Sequence, residues 1–339
     1  MRQQLVTLLL GEAKKPIAGE LFKAPPTTSA PVYSELSVPR QTVIGQDTAD
    51  LDGKKVPFVL KSYQPDVLLI QCTIDVENIF HKDIFTLEEK LFDASYRILE
   101  SHGGKKAFTE SYSIFIVSDY DCDPEQFLAN GQIIASLLKS ERLELDPKEI
   151  KYTLEAAIKY AKNDISIIDW DGAFIFDPAG DVAEDIELLT LANLQLLRHR
   201  ILDRQLDERL SKIDQLVPKT RTKAFKSKEL ADDLRKMIKV RMTSISELQR
   251  LEREIKMIGD WYSARFYNLA CAKFRIDDWR KSINSKLDSL EDVYSVVVEN
   301  FTVSAKHRAE WIQIIAFFFL QVGWFILIIL ELYTLTHHK

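Results

Sequence analysis

A chain of 339 residues, 28% charged and 46% hydrophobic, has room for one or two domains with a real core. Its 45 basic and 51 acidic residues leave a net charge of −6, which argues against a general nucleic-acid binder, because phosphate contacts need a positive face. Three widely spaced cysteines, Cys72, Cys122 and Cys271, fit a reducing compartment and argue against a zinc site.

The apolar start, Met1–Leu10, fits a short strand or a short helix, and its pattern does not decide between them. Its Leu5–Leu10 run is too short for an ordinary signal-peptide core and has no clear cleavage site after it. From Gly11 to Pro57 the composition changes: Pro16, Pro25, Pro26, Pro31 and Pro39 are interleaved with Ser and Thr and no period persists. Residues 1–57 are therefore expected to be a separate segment with an irregular stretch, followed by an α/β domain over 58–180. Within that domain Phe58–Tyr63 and Val67–Val76 are β-branched apolar runs expected to be strands. Thr86 and Glu89 suggest a capping box ahead of a helix over Leu87–Ser101, which Gly103 and Gly104 stop. Glu110–Val117 alternates as a strand, with Tyr112, Ile114 and Ile116 on one face. Asp123-Pro124 opens a helix to about Ser140, and Pro147 opens another to about Asn163. Ile165–Asp169 and Ala173–Asp177 are expected to fold into a hairpin about Trp170-Asp171-Gly172. Strands with interspersed helices make this a mixed α/β domain of the α+β class.

After Asp181 the period changes to that of a helix. Leu188, Leu191, Leu202, Leu206, Leu210 and Ile213 carry one helix to Pro218. A second runs over about Ser227–Met257, a third over Trp261–Lys273, and a fourth begins near Asp277 and continues toward the C-terminus. Residues 181–308 are expected to be long antiparallel helices in a bundle or coiled-coil stalk. The last helix then enters a run of twenty residues without a charge, Trp311–Leu330, bracketed by Glu310 and Glu331. At 1.5 Å per residue such a helix spans the roughly 30 Å core of a bilayer. Trp311 and Trp324 are its tryptophans, Gln313 and Gln321 its strongly polar members, and residues 331–339 form a short tail. Lys306 and Arg308 precede the span and only Lys339 is firmly cationic after it. A single-pass, C-terminally anchored protein with its bulk facing the cytoplasm is expected, in a bacterial inner membrane or its equivalent. Gln321 lies near mid-span, where an amide is better placed against a partner helix than against lipid, so a homo-oligomer is expected as well.

Chemistry is sparse. Asp169 and Asp171, two residues apart, resemble the first motif of haloacid-dehalogenase-type phosphatases, in which one aspartate is the nucleophile and the second the acid/base around Mg²⁺. Ala173 stands where that family has threonine, and helices follow where a doubly wound domain should continue. With Asp177, these two carboxylates are the candidate metal ligands, and Mg²⁺ the candidate ion. Asp181, Glu184 and Asp185 add acid nearby without calcium-loop spacing, and Asp-Gly at a hairpin corner is a turn signal in its own right. No Gly-rich phosphate loop occurs, and His81, His102, His199 and His307 are isolated in sequence. The basic run Lys219–Lys228 reads as a solvated loop. No catalytic residues and no resident cofactor are expected.

Three stretches together resemble the YagE-like family. They are Ile165–Asp177, the Leu-Gln-Leu-Leu-Arg run within Asn193–Asp207, and the charged helices ending in Lys306-His307-Arg308 before a single span. The resemblance implies a membrane-anchored scaffold or assembly factor, akin to inner-membrane proteins linked to mitochondrial translation, and it carries over no catalytic residues. CorA-type magnesium channels also set an α/β domain on long helices, but they need two spans and a Gly-Met-Asn loop, and this chain has neither. The expected function is therefore a membrane-tethered scaffold acting through protein contacts. The alternatives are Mg²⁺-dependent phosphoester hydrolysis at Asp169 and Asp171, or CorA-like divalent-cation transport.

Overall fold

The computed structural model describes residues 1–13, 20–21, 41–63, 66–214, scattered positions between 235 and 249, and 261–337. One mixed sheet of nine strands organises it: β1 (Arg2–Ala13), β2 (Glu20–Leu21), β3 (Gln41–Leu51), β4 (Lys54–Tyr63), β5 (Val67–Asp75), β6 (Gly104–Ser118), β7 (Ala157–Ile158), β8 (Ile165–Ile168) and β9 (Gly172–Phe176). Their order across the sheet is β2-β3-β4-β5-β1-β6-β9-β8-β7. Only β6 and β9 pair in parallel, from Ser113 beside Gly172 to Val117 beside Phe176; every other neighbour is antiparallel. The helices are α1 (Asp83–Ser101), α2 (Gly131–Leu138), α3 (Pro147–Leu154), α4 (Ala183–Asp214), α5 (Trp261–Lys273) and α6 (Ile276–His337).

Strand alternation builds two cores. Leu5 and Leu9 of β1, with Phe115 and Val117 of β6 and Phe174 and Phe176 of β9, face Leu91, Ile98 and Leu99 of α1 and Ile134 and Leu137 of α2. The opposite parity, Val6, Leu8 and Leu10 with Tyr112, Ile114, Ile116, Ala173 and Ile175, faces α4, α5 and the start of α6 through Leu189, Leu196, Phe266, Phe274 and Ile276. The sheet is thus covered on both faces, and its inner strands are apolar on both sides.

The N-terminal segment departs from expectation. Residues 1–57 are not set apart from the domain: they supply β1, β2, β3 and the start of β4, and β1 sits between β5 and β6 at the heart of the sheet. Smaller shifts have local causes. α1 begins at Asp83, three residues before the Thr86 expected to cap it. The helix after Asp123 opens as a 3-10 stretch, Pro124–Asn130, with the Asp123 carboxylate accepting from the Glu125 amide, and becomes α-helical only from Gly131. α3 stops at Leu154, because Ala157–Ile158 leave it to pair with β8.

Two helices leave the sheet side by side. Leu202 and Leu206 of α4 pack with Ile283, Leu287 and Leu290 of α6. Ser282 donates to Asp203 at 2.8 Å, and Lys286 reaches Asp203 at 2.7 Å and Asp207 at 2.6 Å. The contacts climb together along both helices, so this pair runs parallel. The expected antiparallel member, Ser227–Met257, lies mostly outside the described residues, although Ile245 packs against the same apolar cluster. α6 continues unbroken for 62 residues, about 93 Å at helical rise.

Candidate functional site

The expected β8–β9 hairpin forms in register, Ile165 opposite Phe176 through Ile168 opposite Ala173, and the Asp169 amide closes it on the Gly172 carbonyl at 2.9 Å. Gly172 is required at the tip: a Cβ there would lie 2.9 Å from the Ser113 carbonyl of the parallel neighbour β6. The hairpin presents Asp169, Trp170 and Asp171 at the end of the sheet from which α4 and α6 depart.

Asp169 is only 6% exposed and lies between two ammonium groups from opposite layers. Lys139, just after α2, is 3.0 Å from Oδ2, and Lys273, at the end of α5, is 3.4 Å from Oδ1. The Trp170 amide donates to Oδ1 at 3.0 Å and the Tyr112 hydroxyl donates to the Asp169 carbonyl at 3.1 Å. Lys139 is shared with Glu149 of α3 at 2.9 Å, and Lys273 sits over the Tyr152 ring. One carboxylate thus ties α2, α3, β8 and α5 together. β8 turns straight back into β9 after Asp169, and both carboxylate oxygens of Asp169 face lysines.

The three candidate metal ligands do not converge. Asp169 and Asp171 share the hairpin tip, whereas Asp177 lies beyond the far end of β9, about 20 Å away at strand rise. There Asp177 accepts from the Asp181 amide at 3.4 Å. Among the described residues, no three His, Cys, Asp or Glu side chains are grouped to hold a metal ion.

Around the tip the fold buries acids that pattern reasoning did not single out. Glu88 of α1 accepts from the Ser113 hydroxyl inside the first core, and burial pushes its carboxyl up to about 7. Glu110 of β6, paired with Arg200 of α4, is also raised to about 7 by burial, with Arg200 pulling the other way. Asp171 is raised to about 6, first by burial and then by the neighbouring Asp169 charge. At the opposite end of the sheet Asp185 is raised to about 7, by burial and by Glu184, Asp177, Asp164 and Asp181 around it. Glu187 accepts from Gln41 and Tyr63, bonding the outer strands to α4. Glu88 is visible in sequence only as a polar break in the α1 stripe, and no local signal marks Glu110, Lys139 or Lys273, whose partners Arg200 and Asp169 lie 90, 30 and 104 positions away respectively.

The span residues are fully outside this packing. Ala309–Glu331 has a mean hydropathy of 2.4 with none of it buried, and among the described residues it is the one helix stretch long and apolar enough to cross a membrane. Trp311, Gln313, Gln321 and Trp324 are all exposed on it.

These features define a class: a mixed α/β sheet domain, covered on both faces, that continues into a helical arm ending in a span-length apolar helix. The chain belongs to the family described as "Uncharacterized protein MJ0711, N-terminal domain", which matches residues 7–184, from within β1 to the first turn of α4. It is 28% identical over 300 residues to the uncharacterized protein MJ0711 of Methanocaldococcus jannaschii, covering 88% of this chain and 89% of the relative, so the likeness runs past the sheet domain into the helical arm. No solved structure matches the chain.

Two outcomes follow. Asp169→Ala removes the counter-charge that Lys139 and Lys273 share; with both lysines partly exposed and Lys139 keeping Glu149, it should destabilise the protein by about 2 kcal/mol in denaturant unfolding, with Asp169→Asn intermediate; an unchanged midpoint would show that the carboxylate does not tie the layers. The pH dependence has a definite sign. Glu88, Glu110, Asp171 and Asp185 titrate near 4 when unfolded and at about 6 to 7 when folded, so the folded chain holds protons that the unfolded chain has released. Their stabilising contribution is complete below about pH 4 and is lost as pH rises through about 7. The thermal midpoint should fall from pH 5.5 to pH 8, and Glu88→Gln should flatten that fall; a midpoint that rises over this window contradicts the assignment.

Proposed function

We propose that this protein is a membrane-tethered scaffold, acting through protein contacts and not through catalysis. The observation that carries the proposal is the continuity of α6. Its first residue, Ile276, is buried in the sheet domain's second core, Ile283 to Leu290 pair with α4, and Ala309–Glu331 has the length and hydropathy of a span. A helix with large apolar side chains exposed on every side over 23 residues is unfavourable in water and favourable in lipid. In this reading the Lys/Arg excess before the span, Lys306 and Arg308, holds the sheet domain on the cytoplasmic face and sends Thr336–Lys339 across. The scaffold role is supported by what the buried ionisable groups do: Asp169, Glu110, Glu88 and Glu187 are committed to ion pairs and hydrogen bonds that join layers of the fold. The architecture that resembles the YagE-like family, a domain followed by charged helices and one span, fits the same role.

Cell fractionation followed by protease treatment of sealed vesicles tests it. The full chain should sediment with membranes and resist carbonate extraction. Vesicles with the cytoplasmic face inside should protect the sheet domain, and inverted vesicles should lose it. Recovery in the soluble fraction would refute tethering, and the reverse protection pattern would refute the orientation.

A further inference from the structure

The span places one hydrogen-bonding side chain where no other described element reaches it. Gln321 is the twelfth residue below the entry of a 23-residue apolar helix and lies within about 2 Å of its midpoint along the axis. It is exposed, and no part of the span is covered by another described element. Gln313 is different: it is four residues from Ala309, about 6 Å, and its amide can reach the interface.

The residues around Gln321 form a seam. Ile314, Phe317, Gln321, Trp324 and Ile328 recur at alternating spacings of three and four, which puts Gln321 at a heptad position flanked one repeat away on each side by isoleucine. All five are exposed. A single polar residue at such a position is the known device for selecting register and oligomer state. The chemistry also selects the partner. Every copy inserts in the same orientation, so two copies related by a two-fold axis along the membrane normal carry Gln321 at the same depth. An amide is donor and acceptor at once and therefore pairs with its own copy.

We propose that the span is a parallel homodimer interface, with Gln321 of one copy hydrogen-bonded to Gln321 of the second inside the Ile314–Ile328 seam. This rests on the membrane-tethered reading above. The full chain, labelled with a donor or an acceptor fluorophore and reconstituted in phosphatidylcholine vesicles, should show energy transfer that saturates at a one-to-one complex. Gln321→Leu should weaken the complex about 3- to 20-fold, the range set by interhelical polar contacts in membranes. Gln313→Leu should change it less than 2-fold. Oxidation of single Gln321→Cys and Ile328→Cys variants should give crosslinks through the introduced positions, identified by mass spectrometry, whereas Phe319→Cys and Ile326→Cys, on the opposite half of the helix, should not. Energy transfer no greater than expected for random neighbours, or a complex equally tight with Gln321→Leu, would overturn the proposal. Failure to insert into the vesicles at all would overturn the membrane reading instead, so the two failures are distinguishable.

Discussion

The structure depends on one strand being buried on both faces. Leu5, Val6, Leu8, Leu9 and Leu10 of β1 are all at 0% exposure, divided by parity between two cores, and the strand is paired along its length with β5 on one side and β6 on the other. Such a strand is stable only if each face is covered by its own layer. α1 and α2 cover one face and α4 and α5 the other. The same demand sets the direction of the arm: α4 begins where β9 ends, returns across the second core, and leaves at the end of the sheet that holds the β8–β9 hairpin tip. α6 leaves at the same end and runs beside it, fixed by Lys286 between Asp203 and Asp207.

At that end the fold spends its buried charges on joining layers. Asp169 draws Lys139 from one layer and Lys273 from the other, and Glu110 draws Arg200 from α4. Buried ion pairs often add little net stability over apolar replacements, because desolvation offsets the attraction, but losing one partner is costly. Here they add fixed polar links between packed layers at the root of the arm. Burial keeps Glu88, Glu110 and Asp171 well above the usual carboxylate range, so this end of the domain shares the pH response of its stability with Asp185 at the other end.

What was legible in the sequence was what has a local period. Trp261–Lys273 is a helix with the expected bounds, Tyr112, Ile114 and Ile116 share a face, and the Trp170-Asp171-Gly172 turn closes the expected hairpin. β1 was not legible as the central strand, because burial on both faces removes the alternation that marks a strand, leaving a leucine-rich run that fits either structure. β3 escaped for the opposite reason: Gly45, Gln46, Asp47 and Asp50 make it polar, and it is held by pairing with β4 and not by its own pattern. The parallel course of α4 and α6 follows from which helix returns to the sheet, a tertiary choice no single helix records. The carboxylates of the Asp169–Asp171 motif were found, but their role was not, since it is set by lysines 30 residues before and 104 after.

α6 runs as one continuous helix from the sheet domain, past its pairing with α4, into the apolar stretch, and this determines a height. From Leu290, the last described α6 residue of the apolar cluster it shares with α4, to Ala309, where the apolar stretch begins, α6 rises roughly 28 Å. Electron cryomicroscopy of the full chain in lipid nanodiscs measures that separation directly. The sheet domain should stand clear of the headgroups, joined to them by a helical column, with the α4–α6 apolar cluster about 20 Å above the headgroup layer. Domain density lying flat against the headgroups, or scattered over all heights without a column, would contradict it.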